Sequence, residues 1–415
     1  MEGSQSPGIV RGAVRYQGSL SSPEKRKLTG SLELVGVQIP LKVFSQPFQE
    51  VNGRVRVDGK TIDLLGVKAQ AGGYPFTING RWMDGEKPML LFSLSAPEMD
   101  IAYLIPHRVS PDEEWYDRLQ VRGKLVVDKG RYQNFPFTDM KSDLVLEKRI
   151  WRMENFSARS QGGTVQGAGA FDDHPGKGIF SVEPNIKGVP VQELLGWFDI
   201  GTTEIAGKVQ LAGKFDFSGK TGAERKRNLN GAFRFRIEDG VARRFQLLVR
   251  VLSFLDLSRW FTLRLPNVNQ EGIHFRSAVA DVKVARGVYS TQNLFVDGDD
   301  LRITGAGEMD GPKGEVDFVL AVRPFPGLDR AANYIPILGT GLAAIKDSLL
   351  VASFNVRGPI SDASITPAPL STLSEFFFGA LAIPKGLIGI PTTAEPKATA
   401  EPKANTEQQP SGEQK

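Results

Sequence analysis

A large apolar residue recurs at a step of 14 in three places along this chain: at Phe48, Ile62 and Phe76, at Phe137, Trp151 and Val165, and at Phe275, Tyr289 and Ile303. Four residues past the last mark of each series stands a glycine, Gly80, Gly169 or Gly307. Two further on comes another bulky apolar residue, Trp82, Phe171 or Met309. A fixed period of this kind marks one supersecondary unit used repeatedly, and it constrains the architecture before local propensity does.

Each series runs on into an alternating stretch that ends near a proline: Phe92-Ser-Leu94-Ser-Ala96-Pro97, Phe180-Ser-Val182-Glu-Pro184 and Phe318-Val-Leu320-Ala-Val322-Arg-Pro324. Alternation of apolar and polar residues is the period of a half-buried strand. The glycine-rich and polar gaps between runs are turn signals. Each unit therefore reads as a meander of about four strands over roughly 50 residues, with ordinary strand lengths. With 45 glycines, 26 prolines and 40% hydrophobic residues, the chain suits a turn-rich β protein able to bury a core. The predicted fold is mainly β: repeated antiparallel meanders forming a long curled sheet or groove, with an amphipathic helix near 243–263 and a few short helices.

The net charge is only +4 and the 51 basic residues are scattered, which excludes the clustered basic face of a nucleic-acid binder. No cysteine is present, so disulfide and thiolate chemistry are excluded. The segment Met1 to Pro7 has neither the basic nor the apolar region of a signal peptide. No run of about 20 uninterrupted apolar residues reads as a membrane-spanning helix.

Four regions are expected. Residues 1–225 form a repeated β-meander, with Ser110 to Tyr116 as a short capped helix and Glu224 to Arg227 as a charged loop. Residues 226–367 open with the clear alternating strand Phe233 to Gly240, whose phenylalanines and arginines point to opposite faces. Within this region Arg243 to Leu263 breaks the strand pattern. Its polar residues Arg243, Gln246, Arg250 and Ser253 follow one helical stripe, and Phe245, Leu248, Leu252 and Leu255 cover the remaining surface. That helix either caps the sheet end or touches lipid. Residues 368–391 are apolar, with Phe376, Phe377 and Phe378, and suit an interfacial segment better than a span. Residues 392–415, with Ala-Glu-Pro-Lys at 394–397 and 400–403, are too polar and proline-rich to order themselves.

Candidate chemistry is sparse. His107, His174 and His274 have no metal-ligand spacing and no adjoining nucleophile, and His174 reads as part of a turn. Gly339-Thr-Gly341-Leu-Ala-Ala344 matches a dinucleotide fingerprint, but Pro336 and the lack of a βαβ unit make it a structural turn. Asp297-Gly-Asp-Asp300 lacks the spacing of a calcium loop and reads as a hairpin turn. The expected protein is therefore not an enzyme, and no cofactor or metal is expected.

A sheet with one apolar face must cover that face, and the helices are too few to do it. The sheet either folds on itself or curls into an open trough covered by a ligand. Lipid chains are natural fillers, at about 0.8 kcal/mol per buried methylene. Strand parity gives the candidate groove residues: Val55, Val57, Leu125, Val127, Val209, Leu211, Phe233, Phe235, Ile237, Val282, Val284, Phe318, Leu320 and Val322. The competing expectation is an assembly scaffold with a closed β core that acts through protein partners.

The segment from Leu229 to Pro367 resembles the C-terminal region of AsmA-like proteins of the Gram-negative envelope. The resemblance rests on ordered features: Leu229-Asn-Gly-Ala-Phe233 with Asp239-Gly240, the apolar helix, Gly272-Ile-His-Phe275, Gly287-Val-Tyr289, Asn293-Leu294, Leu301-Arg-Ile303-Thr-Gly305-Ala-Gly307, Ile335-Pro-Ile-Leu-Gly339 and Phe354-Asn-Val-Arg-Gly358-Pro359. Upstream, Ile186-Lys-Gly188-Val189 through Leu194-Leu195 looks like the same family's body. The resemblance implies a long curled sheet with an apolar groove. It also implies a periplasmic location, with inner-membrane association through an N-terminal helix that this chain does not show. The implied role is moving phospholipid towards the outer membrane and supporting its assembly, with phospholipid acyl chains, a membrane surface and envelope proteins as partners.

Overall fold

The computed structural model of the chain describes residues 8–18, 27–40, 44, 46–105, 114–197, 205–242, 272–298, 301–324 and 352–368. The expected helix at 243–263, all of the segment 368–391 but Ala368, with Phe376, Phe377 and Phe378, the tail, His107 and the Gly339 motif lie outside these residues.

Nineteen strands form one mixed sheet. They are β1 (Ile9–Gln17), β2 (Lys27–Ile39), β3 (Phe48–Asp58), β4 (Thr61–Ala71), β5 (Tyr74–Met83), β6 (Met89–Asp100), β7 (Gln120–Tyr132), β8 (Phe135–Glu147), β9 (Ile150–Ser160), β10 (Gly163–Asp172), β11 (Ile179–Pro190), β12 (Ile205–Ser218), β13 (Asn230–Ala242), β14 (Ile273–Ala285), β15 (Val288–Gly298), β16 (Leu301–Asp310), β17 (Glu315–Pro324), β18 (Ala352–Pro359) and β19 (Ser364–Pro367). Among the described residues three short α-helices accompany them: α1 (Glu114–Arg118), α2 (Val191–Trp197) and α3 (Gly222–Arg227). Each strand pairs with its sequence neighbours, antiparallel everywhere except at the β6–β7 step, which is parallel. The parallel step was not anticipated from the sequence. The curled sheet does not close, because β1 and β19 do not meet. It also runs unbroken across residue 225, since β12 pairs with β13.

The step of 14 is one strand plus its turn. Phe48, Ile62 and Phe76 lie on β3, β4 and β5, Phe137, Trp151 and Val165 on β8, β9 and β10, and Phe275, Tyr289 and Ile303 on β14, β15 and β16. Each step moves to the next strand and to the opposite end of the sheet while keeping the same face. The near end carries the β3–β4, β8–β9 and β12–β13 turns, and the far end the β4–β5 and β9–β10 turns. Register makes the apolar face continuous. At the near end one line of direct cross-strand partners runs Val57, Ile62, Trp82, Leu90, Val121, Leu146, Trp151, Phe171, Phe180 and Phe217. At the far end of β3 to β9, Val51, Ala69, Phe76, Met99, Val127, Phe137 and Met140 form a buried core.

Glycines beside large side chains keep this face packed. A Cβ on Gly123 would fall 2.2 Å from the ring of its cross-strand partner Phe92. On Gly240 it would fall 2.0 Å from the ring of Phe275. Of the ruler glycines Gly307 acts alike, since a Cβ there would fall 2.8 Å from Cγ of its partner Phe318, while Gly80 faces Phe92 more loosely and Gly169 has room for a side chain. Where the ladder shifts, asparagines from the next strand hold the freed backbone. The Asn52 and Asn79 amide oxygens accept from the N–H groups of Gly36 and Gly66, at 2.9 and 2.8 Å.

The two edges differ. β19 has four residues, ends at Pro367 and follows a 3-10 turn at Ile360–Asp362. β1 has nine residues, all exposed, and no strand among the described residues pairs with its outer edge. A Gly123→Val substitution is expected to destabilise the protein by about 1–3 kcal/mol through overpacking against Phe92. Gly196→Ala in α2, where a Cβ meets nothing within 4 Å, should be neutral or slightly stabilising. Thermal unfolding followed by circular dichroism distinguishes the two.

Candidate functional site

The register places all the sequence-predicted groove residues on the apolar face. They do not share one environment. Val127, Val209, Ile237, Val282, Val284, Leu320 and Val322 are buried by the protein itself, Val127 and Val322 completely. Val55, Val57, Leu125, Leu211, Phe233, Phe235 and Phe318 remain half-buried. Parity finds the face but not its cover, because burial depends on what crosses above the strand.

Part of the cover is the connector from β6 to β7. It leaves β6 at the far end and enters β7 at the near end. Ile101, Tyr103 and Leu104 pack on the far-end core, where the Tyr103 ring lies over Gly72. At the near end Tyr116 of α1 and Leu119 pack with Trp82, Leu90, Phe92 and Trp151. Both described ends of the connector thus sit on the apolar face of β3 to β9.

A polar clasp fixes α1 there. The Tyr116 hydroxyl donates to Asp173 Oδ2 at 3.2 Å and accepts from Trp151 Nε1 at 2.8 Å. The buried Arg149 guanidinium pairs with Asp117 and lies 5.1 Å from the Tyr116 ring centroid. Burial pushes the Tyr116 hydroxyl pKa up, so the clasp stays neutral at that oxygen. The expected helix at Ser110 to Tyr116 is found as Glu114–Arg118.

Beyond the clasp the floor opens. On β10 to β13 the half-buried residues Phe171, Phe180, Val182, Leu211, Phe215, Phe217, Phe233 and Phe235 share the apolar face. Phe171 and Phe180 stack at 4.4 Å between centroids, and Phe180 and Phe217 at 5.1 Å. Phe215 and Phe233 lie 5.5 Å apart and pack over the buried Ala280, Val282 and Val284. The sequence reading included Leu211, Phe233 and Phe235 but missed Phe171, Phe180 and Phe217. Their signal was present, since Phe171 follows the ruler glycine and Phe180 opens the alternating stretch. Cross-strand register, which joins them into one stack, is not written in any single strand.

The opposite face is laced by ion pairs and is mostly polar, with a small buried apolar cluster of Ala306 and Ala321 on β16 and β17. Arg234 forks onto Asp281 at 2.5 and 3.0 Å, and Arg276 and Arg302 share Asp297. His174 sits in the β10–β11 turn with Nδ1 2.5 Å from Asp172 Oδ1, and His274 is exposed on β14. Among the described residues no three metal-ligating side chains cluster, and no helix is long and apolar enough to cross a membrane. The stretch Glu224 to Arg227, expected as a loop, is the helix α3. Its Thr221–Glu224 capping box satisfies the first-turn N–H groups.

A long, unclosed, curled sheet with one continuous apolar face, half-buried over β10 to β13, defines a β-trough protein. A family model described as YhdP protein matches residues 121–365, more than half of the chain. The chain belongs to the YhdP family, a family related to AsmA-like envelope proteins, and this membership points to an envelope protein. No curated protein and no solved structure gives a significant match.

Two outcomes are expected. Tyr116→Phe removes the acceptor of the Trp151 N–H and should lower stability by about 1 kcal/mol, read as a shift in the urea midpoint with an unchanged slope. The Arg234 hydrogen bonds hold the Asp281 carboxyl below its ordinary value, against the opposing effect of burial. The pair's stabilisation is therefore present above the ordinary aspartate value, about pH 4. It is lost as pH falls through the lowered value. Asp281→Asn should flatten that acid limb in a series of urea unfolding curves.

Proposed function

We propose that this chain is a non-enzymatic lipid-binding part of an envelope protein, holding phospholipid acyl chains on its apolar face. In this reading it takes part in phospholipid movement between the inner and outer membranes and so supports outer-membrane assembly. The observation that carries the proposal is the aromatic floor of β10 to β13, which is apolar, continuous and only half-buried. Monomeric proteins rarely leave a large contiguous apolar patch uncovered without a partner for it. An acyl chain suits such a surface because each buried methylene contributes about 0.8 kcal/mol without requiring a directional contact. The AsmA-like resemblance and the YhdP family match support the same reading.

The buried half of the face is core rather than groove. Leu320 and Val322 support the sheet in this reading, while Phe233 and Phe235 contact the ligand. A second reading, an assembly scaffold acting through protein partners, draws support from this burial and from the exposed β1 edge.

Native mass spectrometry of the chain purified from a bacterial envelope tests the proposal. Stoichiometric phospholipid is expected on the wild type and at least a tenfold lower occupancy on Phe235→Asp. A stable, lipid-free wild type would favour the scaffold.

A further inference from the structure

The near end of the aromatic floor is bordered by exposed positive charge. Lys220 precedes α3, while Arg225, Lys226 and Arg227 form its last turn. Arg286 comes from the β14–β15 turn, a different hairpin. The two turns are packed together: Gly287 N donates to Leu229 O at 2.9 Å and Arg286 N to Asn230 Oδ1 at 2.9 Å. A Cβ on Gly287 would lie 2.5 Å from the Lys226 carbonyl oxygen. All five cationic side chains are exposed. None has an ion-pair partner among the described residues.

The nearby acid does not neutralise them by direct pairing. Glu224 Oε2 accepts from the backbone N–H groups of Lys220 and Thr221, at 2.7 and 3.3 Å. A helix C-terminus favours cations by itself, which accounts for part of α3. It does not account for Lys220 or Arg286, which lie outside the helix.

The charge and the apolar floor touch at one point. The Arg225 guanidinium lies 5.4 Å from the Phe180 ring centroid, and Phe180 is the middle ring of the Phe171–Phe180–Phe217 stack. An apolar strip thus leads directly to a cluster of cations. That is the charge pattern of an anionic amphiphile, with acyl chain on the rings and phosphate at the guanidinium and ammonium groups.

We propose that the basic rim of α3 and the β14–β15 turn binds the phosphate of a phospholipid headgroup, with that lipid's chains on the Phe171–Phe180–Phe217 floor. This rests on the lipid-binding reading and fixes the orientation of the lipid within it, headgroup at the near end.

Flotation of the full chain with vesicles tests the rim. The vesicles are phosphatidylcholine alone or phosphatidylcholine with about a third phosphatidylglycerol. The wild type should bind the anionic vesicles more tightly, and high salt should abolish the preference. The triple variant Lys226→Glu, Arg227→Glu, Arg286→Glu changes only exposed side chains. It should keep the wild-type circular dichroism and bind anionic vesicles at least tenfold more weakly. Arg225→Ala should weaken binding less.

Equal binding of the triple variant and the wild type to anionic vesicles would overturn the proposal. So would a wild type without preference for the anionic vesicles. Full competition of vesicle binding by millimolar inorganic phosphate would also overturn it, assigning the rim to a free anion. Lipid occupancy from native mass spectrometry separates the two levels. Lipid retained on a wild type whose vesicle binding ignores the rim charges leaves the floor standing and removes the rim. A lipid-free wild type removes the floor itself.

Discussion

Register is the constraint on which the rest of this structure depends. Side chains alternate with a period of 2, so a slip of one residue in any strand pair would turn every later apolar residue to the polar face. The chain carries its apolar face across 19 strands without such a loss. Where the ladder does shift, the backbone absorbs the extra residue in left-handed positions such as Gly66, Asn155 and Asp239. Asn52 and Asn79 then hold the displaced N–H groups. The ruler of the sequence is the outward sign of this discipline. Equal strand and turn lengths return each marked residue to the same side.

Much of the fold was legible because its signal is periodic. Strand alternation, glycine placement and the 14-residue step are all local or nearly so, and they led to a one-sided β-meander of the right kind. The departures have local causes. The β6–β7 step is parallel because the chain leaves β6 at the far end and enters β7 at the near end, and nothing in β6 or β7 alone records that. The charge run Glu224 to Arg227 suits a loop as well as a helix, and what decides for α3 is the Thr221–Glu224 spacing of a capping box. The candidate site was half legible. Parity identified Phe233 and Phe235. It could not separate them from Val127 and Val322, which lie on the same face but under other parts of the protein.

The connector and its clasp also divide the trough. On β3 to β9 the apolar face is occupied by the chain's own Tyr103, Leu104 and Tyr116, whereas on β10 to β13, α2 packs beside Leu211 and Phe235 at the far end, Arg225 of α3 reaches Phe180, and the stacked rings stay half-buried. Among the described residues one sheet thus shows its apolar face in two conditions, covered by its own polypeptide on one stretch and half-buried on the next. The Tyr116–Trp151–Asp173 bonds stand at the border between the two.

The unequal edges bear on how such a protein behaves at high concentration. The β19 edge, short and ended by proline, offers little backbone for another strand to pair with. The β1 edge offers nine exposed residues, with Val10 54% and Val14 46% exposed on the apolar side and Arg11 and Arg15 on the other. If two copies paired antiparallel over all nine residues, Arg11 of one would stand opposite Arg15 of the other, twice, a like-charge contact that opposes the pairing. Those two arginines thus act as gatekeepers against edge-to-edge pairing of the most exposed described strand.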